Sequence, residues 1–560
     1  MMGEFTVFIK KNVAFLILIL LGVIFIAGLF YQRLDLTADK RYTLTDASKK
    51  VLEKIEEPMQ IDIYLDGDFP ADFKQLQSET ISLLDEMRRL NSNISYQLID
   101  PIKENISEDT LQAMGILPSN LQVEKGQITI FPYATVRYKK YGMTVPLIVE
   151  QAGISSDEQI TKSIESLEYS FVNIMDKITH EHLKSVGILV NQKELNRLEM
   201  YSFASRILQS YNFGPVFPKD SQSLKIQDLP ALRRFDAVVI AKPRKAFTDE
   251  EKMVIDQYIM HGGKTLWALS AVNAEMDTLL KSSKILAYPY DLNLTDLLFA
   301  YGVRINPVLI KDIQRPAPLN LQVGSVQGNA QNARVPWVYF PLGFPTEDTP
   351  NPITKNINPV RFEFPSPIDT LETEGVKKTI LYQSSPFTDV QGTPSYVSLE
   401  EAKYADKADS LNIRAYRKGA KIMAALLEGK FTSAYDGRIE SSTVQDFVRK
   451  SPPNKMIVIA DGNVAKNEII QGQPVPLGLD YSTQITYGNE EFLMNALNYL
   501  LDDSGLMSLR NRTVQMRMLD KQSILMDKSY WQWLNLLAPL VFIWAIGVGT
   551  IFWRKRKFGF

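Results

Sequence analysis

Two long apolar runs lie near the ends of the chain. Residues 13–30 (VAFLILILLGVIFIAGLF) and residues 533–553 (WLNLLAPLVFIWAIGVGTIFW) contain no charged residue. At about 1.5 Å per residue, the first run would span roughly 27 Å as a helix, close to the hydrocarbon thickness of a bilayer. Both runs are therefore predicted to be transmembrane helices.

A cleaved signal peptide is the alternative for the first run. It is disfavoured because the run is longer than a usual signal core, and Leu29, Phe30 and Tyr31 stand where cleavage needs small residues. A buried globular helix is the alternative for the second run. The tryptophans at both of its ends and the basic residues Arg554–Lys557 that follow disfavour it.

Basic residues flank the two runs on their outer sides. Lys10 and Lys11 precede the first run, and Arg554–Lys557 follow the second. Because positive charge stays on the cytoplasmic side of a membrane, both termini are predicted to be cytoplasmic. The bulk of the chain would then lie outside the inner membrane, in the periplasm of a bacterium. A chain without cysteine is compatible with that oxidising space.

After the first anchor (1–33), residues 34–180 are predicted to form a membrane-proximal α+β domain. Alternation predicts a strand over Met59–Leu65, a helix around Phe73–Leu90 and a strand near Ile94–Ile99, an order that is thioredoxin-like in outline. A hairpin with strands near Gln127–Phe131 and Ala134–Tyr138 follows. Without cysteines this domain has no dithiol chemistry, so it is interpreted as a scaffold.

The longest periodic segment is predicted to be a helix over Asp157–Ile178. Ser156 and Gln159 have the spacing of a capping box. Apolar residues recur at intervals of three and four and form one stripe. They are Ile160, Ile164, Leu167, Phe171, Ile174 and Ile178. The stripe fits a helix that faces the core of its own domain, and a helix that packs on a partner is the alternative.

Residues 181–501 are predicted to form an α/β domain with a doubly wound parallel sheet. Short apolar strands, among them Val186–Val190, Phe235–Ala241, Lys264–Leu269 and Met456–Ala460, are separated by helical segments. A Pro/Asn-rich insertion at about 314–367 is predicted to consist of loops and short strands. Residues 502–529 form a return linker, and residues 530–560 hold the second anchor and a basic tail.

Composition and motifs give no support for catalysis. The chain has no cysteine and only three histidines, and it lacks G-x-S-x-G, H-E-x-x-H and G-x-G-x-x-G. His180 and His182 could share a metal on a strand, but they follow a helix end and have no further ligand nearby. Gly262-Gly263-Lys264-Thr265 resembles the end of a phosphate loop, yet Tyr258 replaces its first glycine and a strand follows instead of a helix. The glycines are interpreted as a helix C-cap, and no metal or cofactor is expected.

Several segments resemble the GldG family, the extracytoplasmic component of the gliding-motility ABC transporter system of Bacteroidetes. The segments that carry the resemblance are residues 37–45 (TADKRYTLT), 159–171 (QITKSIESLEYSF), 291–306 (DLNLTDLLFAYGVRIN), 427–433 (LEGKFTS) and 488–500 (GNEEFLMNALNYL). The resemblance runs essentially from end to end and includes both apolar runs.

The resemblance implies partners and a fold. A polytopic GldF-like permease and a cytoplasmic GldA-like ATPase would form a complex with this chain, with two copies of each. The α/β domain would be similar to class I amidotransferase-like folds, whose Cys–His pair cannot exist here. The chain is therefore expected to be a non-enzymatic subunit that couples a partner's ATP hydrolysis to a periplasmic event. A membrane-anchored hydrolase of envelope polysaccharide, with unidentified carboxylates, remains the alternative.

Polar residues directly follow three of the predicted parallel strands. In open parallel sheets ligands and partners gather at the carboxyl ends of the strands. The residues predicted to share this edge, here called the rim, are Asn191, Gln192, Lys242, Arg244, Asp461 and Asn463. The rim is expected to be exposed and to bind a partner or a ligand. Polar loops that merely face solvent are the alternative.

Overall fold

The structure is a computed structural model that describes most of the chain. The described residues are 43–67, 69–123, 126–149, 151, 153–180, 183–217, 223–326, 329–346, 351–404, 415–438, 446–511 and 527–559. The first predicted transmembrane run lies outside them. The chain divides into two compact units, one ending at Arg512 and one beginning at Thr513.

The first part of the larger unit holds one mixed sheet and a separate hairpin. Its helices are α1 (Asp46–Leu52), α2 (Ala71–Leu90), α3 (Glu108–Ala113) and α4 (Ser156–Thr179). Its strands are β1 (Met59–Ile63), β2 (Ile94–Leu98), β3 (Ser119–Val123), β4 (Gly126–Ile130), β5 (Tyr133–Tyr138) and β6 (Tyr141–Pro146). The sheet order is β2-β1-β5-β6, with β1 parallel to β2 and antiparallel to β5.

The prediction that the strands near Gln127–Phe131 and Ala134–Tyr138 form a hairpin with each other was wrong, because each has a different partner. β4 pairs with the preceding β3, from Ser119↔Ile130 to Val123↔Gly126, and β5 pairs with β6 instead. Alternation marks where strands are, whereas pairing depends on the turns between them. The thioredoxin-like outline stays a prediction.

Helix α4 faces the core of its own domain, as its apolar stripe predicted. Ile160, Leu167 and Phe171 on that stripe are buried. The cap lies one residue earlier than predicted, because the Ser155 hydroxyl accepts the N–H of Glu158. The helix packs on α1, α2 and the β5–β6 pair.

The second part of the larger unit is richer in strands. Its helices are α5 (Tyr201–Leu208), α6 (Leu229–Leu232), α7 (Asp249–Met260), α8 (Met276–Ser282), α9 (Thr295–Tyr301) and α10 (Asn489–Leu501). Its strands are β7 (Ser185–Leu189), β8 (Asn212–Val216), β9 (Ala237–Ala241), β10 (Lys264–Ala268), β11 (Val272–Asn273), β12 (Lys284–Pro289), β13 (Val303–Ile305), β14 (Leu309–Asp312), β15 (Pro316–Val326), β16 (Asn329–Gly343), β17 (Val360–Arg361), β18 (Ile368–Thr370), β19 (Val376–Gln383), β20 (Thr388–Gln391), β21 (Ser395–Ser398), β22 (Ile422–Gly429), β23 (Asn454–Ile459), β24 (Ile469–Ile470), β25 (Gln473–Pro474), β26 (Leu479–Asp480) and β27 (Ile485–Thr486).

A large sheet with helices on both faces organises this part. Strands β8, β7, β9, β10 and β23 lie side by side and are all parallel, and β22 continues the sheet antiparallel to β23. Alternate residues of one strand point to opposite cores. In β9, Val239 packs in the core that contains α5 and α10, whereas Val238 and Ile240 pack in the core that contains α7. A mixed α/β sheet with a block of five parallel strands is thus present, and the doubly wound fold and the closer likeness to amidotransferase folds stay predictions.

The Pro/Asn-rich insertion is more regular than predicted. Its centre is a long antiparallel pair, β15 and β16, to which the short β17 adds. Proline lacks a backbone N–H and is tolerated on edge strands and at irregularities. Pro316 and Pro318 lie on β15, and the pairing shifts register between them. The expectation of loops and short strands was therefore wrong for residues 316–326 and 329–343.

The smaller unit contains one long helix, α11 (Lys528–Phe558). It includes the whole second apolar run, and the stretch Lys528–Lys557 is long and apolar enough to cross a membrane. Tyr530, Trp531 and Trp553 are exposed near its two ends, where aromatic side chains suit the interfacial zones of a bilayer.

Candidate functional site

The rim residues follow three strands of the large parallel sheet, as predicted. Asn191 and Gln192 come after β7, Lys242 and Arg244 after β9, and Asp461 and Asn463 after β23. β7 and β9 are neighbours, and β10 separates β9 from β23. The structure divides these six residues into two groups that are held by different contacts.

The first group is centred on the ammonium of Lys242, whose side chain is 1% exposed. Its Nζ lies 2.6 Å from Glu275 Oε1 and also donates to Asn463 Oδ1. The backbone of Lys242 is left-handed, with φ +53°. A Cβ on Gly462 would lie 2.5 Å from Lys242 Cγ, so only glycine fits there. Lys242 and Asn463 therefore form one packed polar cluster.

Asp461 belongs to the same group and is fully buried. Its two carboxylate oxygens accept backbone N–H groups, from Asn463 at 2.7 Å and from Glu363 at 2.8 Å. Burial raises the pKa of Asp461 to about 7, although both hydrogen bonds oppose that rise. Burial also lowers the pKa of Lys242, against the attraction of Glu275. The Asp461 carboxylate and the Lys242 ammonium are thus both buried parts of one hydrogen-bond network.

The second group consists of Asn191, Gln192 and Arg244. The backbone N–H of Arg244 donates to the Gln192 carbonyl at 2.8 Å. The guanidinium of Arg244 lies 3.2 Å from Glu199 Oε1. Asn191 donates to Glu251 Oε1 at 3.0 Å. Gln192 is fully buried, and neither polar atom of its side chain has a partner within the described structure.

The expectation of an exposed rim was wrong for four of the six residues. Gln192, Lys242, Asp461 and Asn463 are buried, and only Asn191 and Arg244 are partly exposed. The reason is that the segment before β18 closes this edge of the sheet. The backbone of this segment is hydrogen-bonded to the end of β23, because the Ser366 N–H donates to the Ala460 carbonyl at 3.0 Å.

Two acidic residues of the network were not foreseen. Glu275 lies in the short segment between β11 and α8, and Glu363 comes from the insertion, 98 residues from Asp461 in sequence. No local pattern marks either residue. A buried lysine held by a carboxylate does not offer an accessible base or nucleophile. Among the described residues, no group of three or more His, Asp or Glu side chains could hold a metal ion.

The structure also places His180 and the glycines at 262–263. His180 is exposed at the end of α4 and contacts the Asp176 carbonyl, while His182 lies outside the described residues. α7 ends at Met260, His261 is its C-cap residue, and Gly262 has φ +91° before β10 begins. The interpretation of these glycines as a C-cap is therefore confirmed.

Comparison with known proteins identifies two family matches. Residues 183–496, more than half of the chain, match a family described as an ABC-type uncharacterized transport system. Residues 38–137 match a domain of unknown function, DUF7088. No curated protein matches the chain.

Two solved structures have distant similarity. The N-terminal domain of mmIFT52 is 11% identical, with a TM-score of 0.30, and the match covers 57% of this chain and 99% of that one. A protein described as ThuA-like from Parabacteroides merdae ATCC 43184 is 10% identical, with a TM-score of 0.27, covering 61% and 94%.

Proposed function

We propose a function for this chain, which belongs to this family of auxiliary proteins of an ABC-type transport system. It is the non-catalytic subunit that couples a partner ATPase and permease to an event outside the membrane. The match over residues 183–496 carries this proposal. The sequence supports it, since it lacks a phosphate-binding loop and any recognisable catalytic motif. ATP binding must then come from another polypeptide.

The finer proposal follows the resemblance to the GldG family. The partners are a GldF-like polytopic permease and a GldA-like ATPase, and the system serves gliding motility. The chain crosses the inner membrane twice, with both termini in the cytoplasm and the folded body in the periplasm. Two copies per complex are expected, because ABC ATPases work as dimers.

The arrangement around helix α4 supports a coupling role. Glu168 Oε1 accepts the backbone N–H and the hydroxyl of Thr45, both at 2.9 Å. The adjacent Tyr169 donates its hydroxyl to Met507 Sδ at 2.8 Å, and the Arg510 guanidinium lies 5.3 Å from its ring centre. The beginning and the end of the folded body are thus held by consecutive residues of one helix. Movement of either chain end would reach the same element.

The rim is the proposed docking edge of the α/β domain, in a narrower form than the sequence suggested. Asn191 and Arg244 are the members that reach the surface, and the buried Lys242 network fixes the loops that carry them. Leu198 and Tyr201, which lie between Asn191 and Arg244 in sequence, are exposed apolar side chains. Arg244 pairs with Glu199, the residue that follows Leu198, and arginine and aromatic residues are enriched in protein interfaces.

Gentle extraction of the full-length protein from its native membrane tests the proposal. We expect copurification with a multi-span permease and an ATPase, and recovery of the protein alone would contradict it. Phosphatase fusions test the topology separately. A fusion after residue 100 should be active and a fusion after residue 557 inactive, and the opposite pattern would overturn the two-span arrangement.

A further inference from the structure

The small sheet of β11, β12 and β21 is buried on one side only. Ala287 on β12 and Val397 on β21 are fully buried and belong to a core that also contains Trp337. Because successive residues of a strand point to opposite sides of the sheet, the neighbours of Ala287 and Val397 point away from this core. The outward side of the small sheet is therefore open to solvent.

Three large side chains lie on this outward side. Tyr396 is 60% exposed, Leu286 is 48% exposed and Tyr288 is 45% exposed. Leu286 and Tyr396 lie opposite each other on adjacent strands. The exposed Lys284 lies two residues before Leu286 on the same side, and its Nζ is 4.1 Å from the centre of the Tyr396 ring. Lys284, Leu286, Tyr288 and Tyr396 are here called the tyrosine face.

The tyrosine face is large for a surface that only meets solvent. Since a whole aromatic side chain has about 150–250 Å² of surface, the exposed apolar part of the face amounts to roughly 300 Å². Apolar patches of about 300–600 Å² are the largest that typical monomers expose, and they are often functional. A standard interface buries about 800 Å² on each partner, so the face has the size of the apolar core of an interface.

The tyrosine face lies at the carboxyl edge of the large parallel sheet. Glu275, between β11 and α8, pairs with Lys242, which follows the end of β9. Tyr290 continues the face, because its ring contacts the Tyr288 ring edge to face, with 6.4 Å between the two centres. Burial raises the pKa of Tyr290, and the nearby Arg244 opposes this rise. The tyrosine face is thus continuous with the Arg244 side of the rim.

The chain leaves the folded body at the opposite edge of the same sheet. The Asp503 carboxylate, after α10, lies 3.9 Å from the ammonium of Lys264, the first residue of β10. The Asp502 carbonyl accepts from Lys455 Nζ at 3.1 Å, at the start of β23. Helix α4 holds the beginning of the folded body next to this segment. The two edges of a sheet with five-residue strands are about 16 Å apart, so the chain ends emerge away from the tyrosine face.

We propose that the tyrosine face is the contact between two copies of this chain. This rests on the proposed function, in which two copies join a permease and an ATPase. The ATPase is cytoplasmic and the permease lies in the bilayer. The folded body available at the edge away from the chain ends is therefore the second copy.

A two-fold arrangement fits the charge and the size of the tyrosine face. An axis near Leu286 and Tyr288 brings the same apolar side chains of both copies together. It leaves the two Lys284 ammonium groups, which carry like charge, at opposite margins of the contact. A contact of this size suffices, because a complex that already holds both copies gives them a high effective concentration.

Photo-cross-linking in the native membrane tests this proposal. Two full-length versions with different affinity tags are produced in one cell. Both carry Tyr396→p-benzoylphenylalanine, which keeps an aromatic ring on the tyrosine face. Irradiation should give a covalent dimer that is retained by purification through both tags in turn. The same replacement of Tyr481, a similarly exposed tyrosine outside the face, is the control and should give no two-tag dimer.

Two variants and one matched control test the contact itself. Leu286→Asp and Tyr288→Ser are each combined with the cross-linker at Tyr396, and each should lower the yield of the two-tag dimer about tenfold. Both change an exposed side chain, where substitution usually alters stability little. Phe299→Asp, at a similarly exposed apolar residue of α9, should leave the yield unchanged. If one variant is not recovered, the other decides the result.

Copurification of the permease and the ATPase from the same cells separates this proposal from the proposed function. Absence of the two-tag dimer overturns the dimer contact, whether or not the partners copurify. A cross-linked product with one tag only, formed with another protein or within one chain, also overturns it, as does an undiminished yield in both variants. A two-tag dimer recovered without the partners supports the contact and contradicts the coupling role.

Discussion

Replacing Glu168 by alanine should release the first described segment of the chain from helix α4. Glu168 is 9% exposed, and its Oε1 accepts three hydrogen bonds. Two come from the N–H and hydroxyl of Thr45, at 2.9 Å each, and one from the Ser48 hydroxyl at 2.6 Å. Alanine would leave all three donors without this acceptor.

The size of the effect follows from the charge of the acceptor. A hydrogen bond to a charged group contributes about 1.5–3 kcal/mol, against about 1 kcal/mol for a neutral one. Because the three donors share one oxygen, their contributions do not add, and we expect a loss of about 3 kcal/mol in total. Glu168→Gln keeps an acceptor oxygen but loses the charge, so it should cost about 1 kcal/mol.

Hydrogen exchange of the full-length protein measures this loss locally. Exchange in a peptide covering residues 43–52 should accelerate roughly 100-fold in Glu168→Ala and about fivefold in Glu168→Gln, since about 1.4 kcal/mol is a factor of ten. Exchange in β10 should not change. Tryptic cleavage after Lys49 should increase in the same order.

A matched variant on the same helix separates this contact from general loss of charge. Glu158 is exposed and pairs with Lys162 at 2.8 Å, a contact that contributes at most about 1 kcal/mol. Glu158→Gln should therefore leave exchange over residues 43–52 unchanged. If Glu168→Ala exchanges as slowly as the wild type there, Glu168 does not hold this segment and the argument is refuted.

Two further predictions concern Lys242, which is buried, and Lys177, which is partly exposed. Glu275→Gln should destabilise the protein by about 3 kcal/mol, because Lys242 then keeps a buried charge without its counter-ion. Adding Lys242→Met should recover much of the loss, and an unchanged urea midpoint in the single variant would contradict this. Burial lowers the pKa of Lys177 to about 7, from 10.5. The unfolded lysine then binds a proton that the folded one lacks, so wild-type stability should rise between about pH 7 and 10.5. The advantage of Lys177→Met over the wild type should be greatest below pH 7 and should shrink as the pH rises, and an advantage that does not depend on pH would refute the assignment.

Much of the secondary structure could be predicted because its signals are local. Thr248 and Glu251 form the capping box that begins α7, and the apolar stripe of α4 faces the core. The same local reasoning missed β15 and β16, because prolines there were interpreted as loop residues. Whether a strand tolerates a proline depends on where the strand lies in its sheet. That place is set by pairing with strands that are distant in sequence.

The rim shows the same limit in the candidate site. The order of strands predicted correctly that Asn191, Lys242 and Asp461 follow parallel strands at one edge of the sheet. Exposure could not be predicted, because Glu363 and Ser366 cover that edge from about one hundred residues away in sequence. A polar residue after a strand is compatible with a solvated loop and with a buried network, and only the covering segment decides between them.

The contacts of the segments that resemble the GldG family explain why the resemblance reveals no chemistry. Glu168 of the segment 159–171 holds Thr45 of the segment 37–45. Tyr301 and Ser433, from two further motif segments, both donate to the buried Asp256, at 2.8 Å and 2.6 Å. These four segments thus each supply one side of a contact between distant parts of the chain, and substitution on either side would leave a buried polar group unpaired. Such motifs specify how the body is assembled, so its function must be sought in the surfaces that this assembly presents to its partners.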